Sequence, residues 1–390
     1  MKKIKLGIIG IGNMGKFHAK NALEGKIEHA ELCAVCDISP EALKWCDENL
    51  KGIKQFTSAS EMIKSGLIDS VVIAVPHYDH APLAIEAFEN GLNVYCEKPA
   101  GVYTKQVLEM NEAAKKSGKV FSMGFNQRTR NVHNKIRELV QNGTLGHIKK
   151  VIWIITTWYR PQAYHDSSAW RSTWKYEGGG TIVNQNPHNI DLFQWMFGMP
   201  DKVFCTIDYG KYYDIEVDDD VNAIFRYNNG TIGIYTTSTG EMPGTNRLEI
   251  SADMGKLVFE DGKLTFYRNV ESEREFNKNN TSSFARLENW KCEIPVEKDT
   301  VQEHCMLIDN FAQSVLYGKD LIAPGVDGID ELTLANSMYY SDWLGGKWIE
   351  TKNFDHDGFY NALQEKIKNS TYVKKTHKTT ATDMGSSFNK

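Results

Sequence analysis

The sequence predicts an α/β protein in two parts. A doubly wound nucleotide fold occupies residues 1–127, and an α/β domain with a large open, mainly antiparallel sheet occupies residues 128–373. Three observations carry this reading. A strand runs into Gly10-Ile11-Gly12-Asn13-Met14-Gly15 and then into a helical pattern; further strands ending in polar groups follow at helix-length intervals; and after Arg137 the rhythm changes to short strands joined by turn signals. At 390 residues, 41% hydrophobic and 24% charged, the chain has the length and composition of two globular domains.

Ile4 to Ile9 reads as a buried strand, and Lys16 to Leu23 as the helix that follows it. In that setting Gly10 makes the tight turn, Gly12 lets backbone N–H groups approach a pyrophosphate, and Gly15 lets helix and strand pack closely. Ile11, Asn13 and Met14 complete the phosphate loop of this Rossmann-type unit. The next strand, Leu32 to Cys36, ends in Asp37, about 20 residues beyond the glycines, where a carboxylate accepts hydrogen bonds from an adenosine ribose and repels a 2′-phosphate. NAD is therefore favoured over NADP. Cys33 and Cys36 are spaced C-x-x-C but lie inside a strand, which points to packing and away from redox or metal chemistry.

Ser60 to Ser65 reads as a short helix, and Ile68 to Val75 as a strand closed by Pro76. Val75, Pro76 and His80 fall at its C-terminal end, where open α/β sheets place ligands; for His80 the alternative is capping of the helix Ala81 to Asn90, and a metal pair with His77 is the weaker reading. Asn93 to Cys96 is a strand ending in Glu97-Lys98-Pro99, and after another helix Val120 to Asn126 is a further strand. Glu97 and Lys98 are either a solvated pair or, at this sheet edge, groups beside the nicotinamide with Lys98 donating to a substrate hydroxyl.

The second domain reads as a meander of strands at Ile148–Thr157, Lys202–Asp208, Val221–Tyr227, Thr231–Ser238, Arg247–Ala252, Lys256–Glu260 and Lys263–Arg268, with turns at Asn229-Gly230, Asp253-Met254-Gly255 and Asp261-Gly262. One face of such a sheet needs a cover, so a homo-oligomer is expected. Asp218-Asp219-Asp220 reads as a solvated turn in preference to a metal site, and Glu271 to Glu288 as a mobile loop. Helices are expected at Thr300–Leu316, Gly328–Trp343 and Gly358–Ile367, and the tail 374–390, rich in Thr, Ser and Lys, as a flexible segment or an arm on a neighbour. The long stretch Trp158 to Trp174 carries rings that can stack on a sugar, among them Tyr159 and Tyr164, with Arg160, Gln162, His165 and Arg171 able to bond hydroxyls or cofactor phosphate. The alternative is that these rings only pack the loop down.

Net charge is −5, without the basic excess of a nucleic-acid-binding protein. Seven cysteines, an odd and scattered set, point to reduced thiols and a cytoplasmic setting, and no window approaches the roughly 20 apolar residues of a membrane span. No metal is expected.

Gly178-Gly179-Gly180 then leads to Asn184, Gln185, Pro187, His188 and Asp191. Three glycines let a backbone pass close to something flat, read here as the nicotinamide side of a pocket, and Pro187 can start a helix that carries His188 in its first turn.

Taken together, the Gly10 to Gly15 fingerprint, Pro76 with His80, Glu97-Lys98-Pro99, Gly124-Phe125-Asn126 with Arg128, Trp170-Arg171, and the triple glycine with His188 and Asp191 resemble the Gfo/Idh/MocA oxidoreductases over about residues 1 to 350. The resemblance implies a nicotinamide cofactor and oxidation of a secondary hydroxyl on a sugar or polyol. It implies that Lys98 holds the reacting hydroxyl and His188 is the acid/base, that Asn126, Trp170 and Arg171 contact the cofactor, and that Arg128 contacts substrate. One departure stands out: where family members often carry Asp four residues before the histidine, this chain has Asn184. An amide can orient the imidazole or hold a substrate hydroxyl but cannot take a proton, so either His188 is the base without a carboxylate or Lys98 shares the task. Asn184-Gln185 resembles the branches that form 3-keto sugars. The reading is an NAD-dependent dehydrogenase oxidising a ring hydroxyl, at C-3, of a pyranose or glycoside; the alternatives are an inositol or cyclitol dehydrogenase and a non-enzymatic NAD-sensing regulator.

Overall fold

The computed structural model describes residues 2–377. Six short strands form the first sheet: β1 (Ile4–Ile9), β2 (Ala30–Cys36), β3 (Lys54–Phe56), β4 (Ser70–Ile73), β5 (Asn93–Cys96) and β6 (Phe121–Met123). β1, β4, β5 and β6 are buried almost throughout, as parallel strands with helices on both faces must be. All pairings are parallel, in the order β3-β2-β1-β4-β5-β6. The order reverses between β1 and β4, which opens a crevice at the carboxyl ends of the strands. The expected helices lie at Asn13–Leu23, Ala59–Lys64, His80–Glu89 and, between β5 and β6, Thr104–Ser117. The helix Pro40–Asn49 and the strand β3 were not anticipated.

The second sheet has nine strands: β7 (Ile148–Ile155), β8 (Lys202–Tyr209), β9 (Asp218–Arg226), β10 (Ile232–Ser238), β11 (Asn246–Ala252), β12 (Gly255–Glu260), β13 (Lys263–Asn269), β14 (Asn289–Ile294) and β15 (Ile349–Glu350). Its order, β14-β13-β12-β11-β7-β10-β9-β8-β15, departs from the meander expected of it. β7 inserts between β10 and β11, parallel to the first and antiparallel to the second, so the sheet is mixed. Buried and partly exposed residues alternate along β7 to β11, which gives the sheet one covered face. The helix Pro187–Phe197 is laid on that face through Phe193, whose ring meets Trp153 of β7, Phe225 of β9 and Tyr235 of β10. Gly233 leaves room for it: a Cβ there would lie 2.8 Å from the Phe193 ring.

Further expectations need correction. The stretch Glu271 to Glu288 contains the helix Glu273–Asn279. Asp218, Asp219 and Asp220 are buried at the start of β9 and do not form a solvated turn. Their carboxylates are consumed by neighbours: Asp219 accepts from the backbone N–H groups of Lys211 (3.1 Å) and Tyr212 (2.8 Å), and Asp220 from Lys211 Nζ (2.7 Å). Helices at Glu303–Tyr317, Gly328–Trp343 and His356–Asn369 match the expected ones. The start of the tail rests on its own chain: Lys374 Nζ donates to the His165 carbonyl at 2.6 Å, and the His377 N–H to that of Asp166 at 3.1 Å. Residues 378–390, the remainder of the expected tail, lie outside the described residues.

Candidate active site

The phosphate loop follows β1. Gly10 has φ +91°, and a Cβ there would overlap the Ala74 carbonyl oxygen; a Cβ on Gly15 would overlap that of Gly10. These two glycines are required by the protein's own close packing. Gly12 differs: no described residue lies within 4 Å of the place of its Cβ, and it is exposed with Asn13 at the start of the 11-residue helix Asn13–Leu23. Open space in front of a helix N-terminus is what a pyrophosphate needs. At the end of β2, Asp37 Oδ2 accepts from the Ile11 N–H at 2.6 Å and Oδ1 from that of Ser39 at 2.8 Å. The carboxylate thereby ties the end of β2 to the glycine loop and keeps lone pairs free for further donors.

The carboxyl ends of β4 and β5 form the next wall. His80 is buried, with Nδ1 2.7 Å from the Pro99 carbonyl and Nε2 2.8 Å from that of Val75. It locks these strand ends from behind, so the expected cofactor contact of His80 is replaced by a structural one. Glu97 is also held behind the wall: His18 Nε2 donates to its Oε1 at 2.7 Å and the Lys98 N–H to Oε2 at 3.3 Å. Burial pushes the Glu97 carboxyl up, but the His18 hydrogen bond together with the fields of His18, His304 and Lys98 outweighs it and holds the group at about 2. It is an ionised support for Lys98 in place of the expected cofactor contact. Asn126 donates to Glu303 at 2.8 Å, while its buried Oδ1 has no partner among the described residues.

The triple glycine is close-packed against the protein itself. Gly178 has φ +83°, and Cβ atoms on Gly178, Gly179 and Gly180 would overlap Val102, the Tyr339 hydroxyl and the Asp218 carbonyl oxygen. These contacts replace the nicotinamide approach expected of them. Asp218, expected in a solvated turn, instead organises the glycine turn: Oδ1 accepts from the Gly180 N–H at 2.7 Å and from the Tyr339 hydroxyl, and Oδ2 from the Ile182 N–H at 2.8 Å. A single π-helical turn, Thr181–Gln185, follows, and Pro187 begins the next helix, as expected.

That helix carries His188 in its first turn. Its Nδ1 is buried, and the ring takes no hydrogen bond among the described residues. Burial, then the Lys98 ammonium, holds the imidazole well below its usual range, so it is neutral and able to accept a proton. Lys98 reaches across from β5 and donates from Nζ to the Asn184 backbone carbonyl at 2.7 Å. Burial lowers its ammonium to about 8. A second buried acid, Glu331, has no partner for either oxygen among the described residues, and burial pushes it well above the carboxylate range.

Asn184 does not share a regular helix with His188. Its side chain turns to Glu177, a residue the sequence reading passed over. Asn184 Nδ2 donates to Glu177 Oε1 and lies 3.4 Å from the Tyr164 hydroxyl. Glu177 Oε2 accepts from the Ser172 N–H, and Arg171 Nη1 lies 4.0 Å from Oε1. Burial pushes the Glu177 carboxyl up to about 7. The only cue in the sequence was a charged residue set directly before three glycines. Tyr164, Arg171 and Trp170 stand over this cluster, the guanidinium stacked 4.5 Å from each ring centre. Trp174 of the same loop packs down on Tyr339 and Trp343. Tyr159 is half-buried.

Arg128 corrects the reading as a substrate contact. Its guanidinium is enclosed, bonded to Asp191 through Nε (2.8 Å) and Nη2 (2.6 Å) and to Asp327 through Nη1 (2.7 Å). It clamps the helix Pro187–Phe197 to the segment before Gly328–Trp343. Among the described residues no group of three or more His, Cys, Asp and Glu side chains is arranged to hold a metal ion, and no helix is long and apolar enough to cross a membrane.

Residues 4–125 match the family model of the NAD-binding Rossmann fold of an oxidoreductase family, and residues 133–258 match the GFO/IDH/MocA C-terminal domain. The chain is 25% identical to the myo-inositol 2-dehydrogenase of Thermotoga maritima over 67% of its own length and 77% of the relative's. The crystal structure of the WlbA dehydrogenase from Bordetella pertussis, in complex with NADH and UDP-GlcNAcA, superposes with a TM-score of 0.75 at 25% identity, covering 90% of this chain and 99% of that one. A levoglucosan dehydrogenase in complex with NADH and levoglucosan shares the fold, with a TM-score of 0.74 at 19% identity over 90% of this chain and 100% of that one.

Proposed function

The chain belongs to the GFO/IDH/MocA oxidoreductases and is an NAD-binding enzyme of the sugar or inositol dehydrogenase type; from that premise we propose that it oxidises a secondary ring hydroxyl, at C-3, of a pyranose sugar or glycoside to a keto sugar. The observation that carries the reading is the pairing of a neutral, unpartnered His188 with a Lys98 drawn onto the Asn184 carbonyl. Bound NAD supplies the hydride acceptor. We assign Gly10, Ile11, Gly12, Asn13, Met14 and Gly15 to the pyrophosphate, Asp37 to the ribose, and Val75, Pro76, Asn126, Trp170 and Arg171 to the rest of the cofactor, supported by the open space at Gly12 and the orphaned Asn126 Oδ1.

His188 takes the hydroxyl proton, Lys98 donates to the same oxygen and positions it, and Asn184, Tyr159 and Tyr164 hold neighbouring hydroxyls. Such acid/base assistance is worth about 10²–10⁴-fold. A pyranose is supported by the rings over the cleft and by the sugar nucleotide in the Bordetella complex. A cyclitol is the second reading, supported by the Thermotoga relative. A panel of methyl glycosides, free pyranoses and myo-inositol, followed by NADH absorbance, tests both. Oxidation of myo-inositol alone overturns the sugar reading, and wild-type turnover in His188→Ala removes His188 from it.

We place the domain division at 127/128, supported by the end of the first sheet at Met123 and the start of the helix Asn131–Gln141. Association through the nine-stranded sheet is supported by an apolar row on its open face, where Phe204, Ile224, Ile234 and Ile152 sit opposite one another in register. Light scattering that gives a monomer overturns it. Seven unpaired cysteines support a reducing, cytoplasmic setting.

A further inference from the structure

The Glu177–Asn184 contact has a chemical consequence. An ionised carboxylate only accepts hydrogen bonds, so the end of an amide that faces it must be the NH₂. Both N–H groups of Asn184 are then spent within the protein, on Glu177 and toward Tyr164. Oδ1 is left at the opposite end of a half-buried side chain and takes no partner among the described residues. We propose that Glu177 is a positioning residue that decides which end of the Asn184 amide faces the cleft: its carboxylate turns Oδ1 outward as an acceptor for a substrate hydroxyl, and a proton on Glu177 reverses the amide. This rests on the sugar-oxidation reading for the identity of what Oδ1 receives.

The environment allows both states. Glu177 is 2% exposed. The charged groups around it are Arg171 on its own loop, 4.0 Å away, Asp218 at the start of β9, and Lys374 from the C-terminal segment. His77 approaches from the end of β4, but its Nδ1 lies on the Glu177 backbone carbonyl at 3.0 Å and not on the carboxyl. One cation on the same loop does not neutralise the desolvation of the carboxyl, which therefore exchanges its proton near neutrality. When it is protonated, its O–H donates to Asn184 Oδ1, and the NH₂ faces the cleft. The same oxygen of a bound hydroxyl then meets a donor where it met an acceptor.

The test uses the full chain with Glu177→Gln, Asn184→Asp and the double variant. Glu177→Gln preserves shape and removes the charge. It should lose about 10²-fold in kcat, keep wild-type NADH affinity, and lose the acidic limb that wild-type turnover shows as pH falls through 7. Asn184→Asp sets two carboxyls in contact, so its melting temperature at pH 8 should fall, and Glu177→Gln in the same chain should restore it. Additive melting shifts would overturn the contact, and wild-type kcat with an unchanged acidic limb in Glu177→Gln would overturn the positioning role. If wild-type enzyme oxidises no sugar, the sugar reading fails and takes the substrate half of this proposal with it; the unfolding cycle still decides the amide half.

Discussion

Lys98 Nζ donates to the backbone carbonyl of Asn184 across 2.7 Å, joining the carboxyl end of β5 to the turn that precedes the His188 helix. One hydrogen bond therefore links the nucleotide-binding sheet to the segment that carries the proposed base. Because burial lowers the Lys98 ammonium to about 8, its charge-assisted donation is present below that pH and gives way above it to the weaker donation of a neutral amine. Turnover on the sugar should fall as pH rises through about 8. Lys98→Arg, which does not titrate, should remove that alkaline limb, and Lys98→Met should lower kcat by about 10²–10⁴-fold while NADH fluorescence titration gives unchanged affinity. A wild-type rate that climbs steadily past pH 8 would show Lys98 acting as a base.

Glycines at two places in the chain should respond in opposite ways. A Cβ on Gly180 overlaps backbone at Asp218, so Gly180→Ala should cost about 1–3 kcal/mol of stability. Gly12 has no described residue within 4 Å of its Cβ position, so Gly12→Ala should melt like wild type yet bind NADH about tenfold more weakly, the equivalent of one lost hydrogen bond. Thermal unfolding and NADH titration of the pair decide this; a stable Gly180→Ala would refute the packing argument.

Arg128 and Asp191 form an enclosed pair, and breaking such a pair leaves a buried charge without its partner. Arg128→Met should cost about 3–5 kcal/mol, and adding Asp191→Asn should recover part of it. Folded Arg128→Met should retain the wild-type KM for sugar. A raised KM with normal stability would return Arg128 to the substrate site.

These contrasts mark where the sequence was legible. The turn between β1 and the helix Asn13–Leu23, the place of Asp37 at the end of β2 and the helix Gly328–Trp343 are local patterns, set by spacing over a few residues, and the structure has these elements where the spacing puts them. The central place of β7 was not legible, because a strand's neighbours are chosen by packing across about 80 residues of chain. Arg128 and Glu97 misled for a common reason: a charged residue in a motif looks available to ligands until its burial is known. Glu177 was hidden for the converse reason. Only the irregular path from Ser172 to Asn184 brings its carboxyl against the amide, and no periodicity announces such a path.

The buried state of Glu177 also makes a statement about stability. Its carboxyl titrates at about 7 in the folded protein against an ordinary 4.5, so the folded state binds this proton more tightly than the unfolded chain does. The stability this contributes is complete below the unfolded value and is lost as pH rises through 7, by up to roughly 3 kcal/mol at 1.4 kcal/mol per unit. Glu177→Gln carries no such slope. Its melting temperature should approach that of wild type near pH 5 and exceed it increasingly toward pH 8, and a difference that does not vary with pH would mean that the carboxyl is not desolvated. The same substitution is expected to slow turnover, so the charge that orients Asn184 is kept at a cost to the fold.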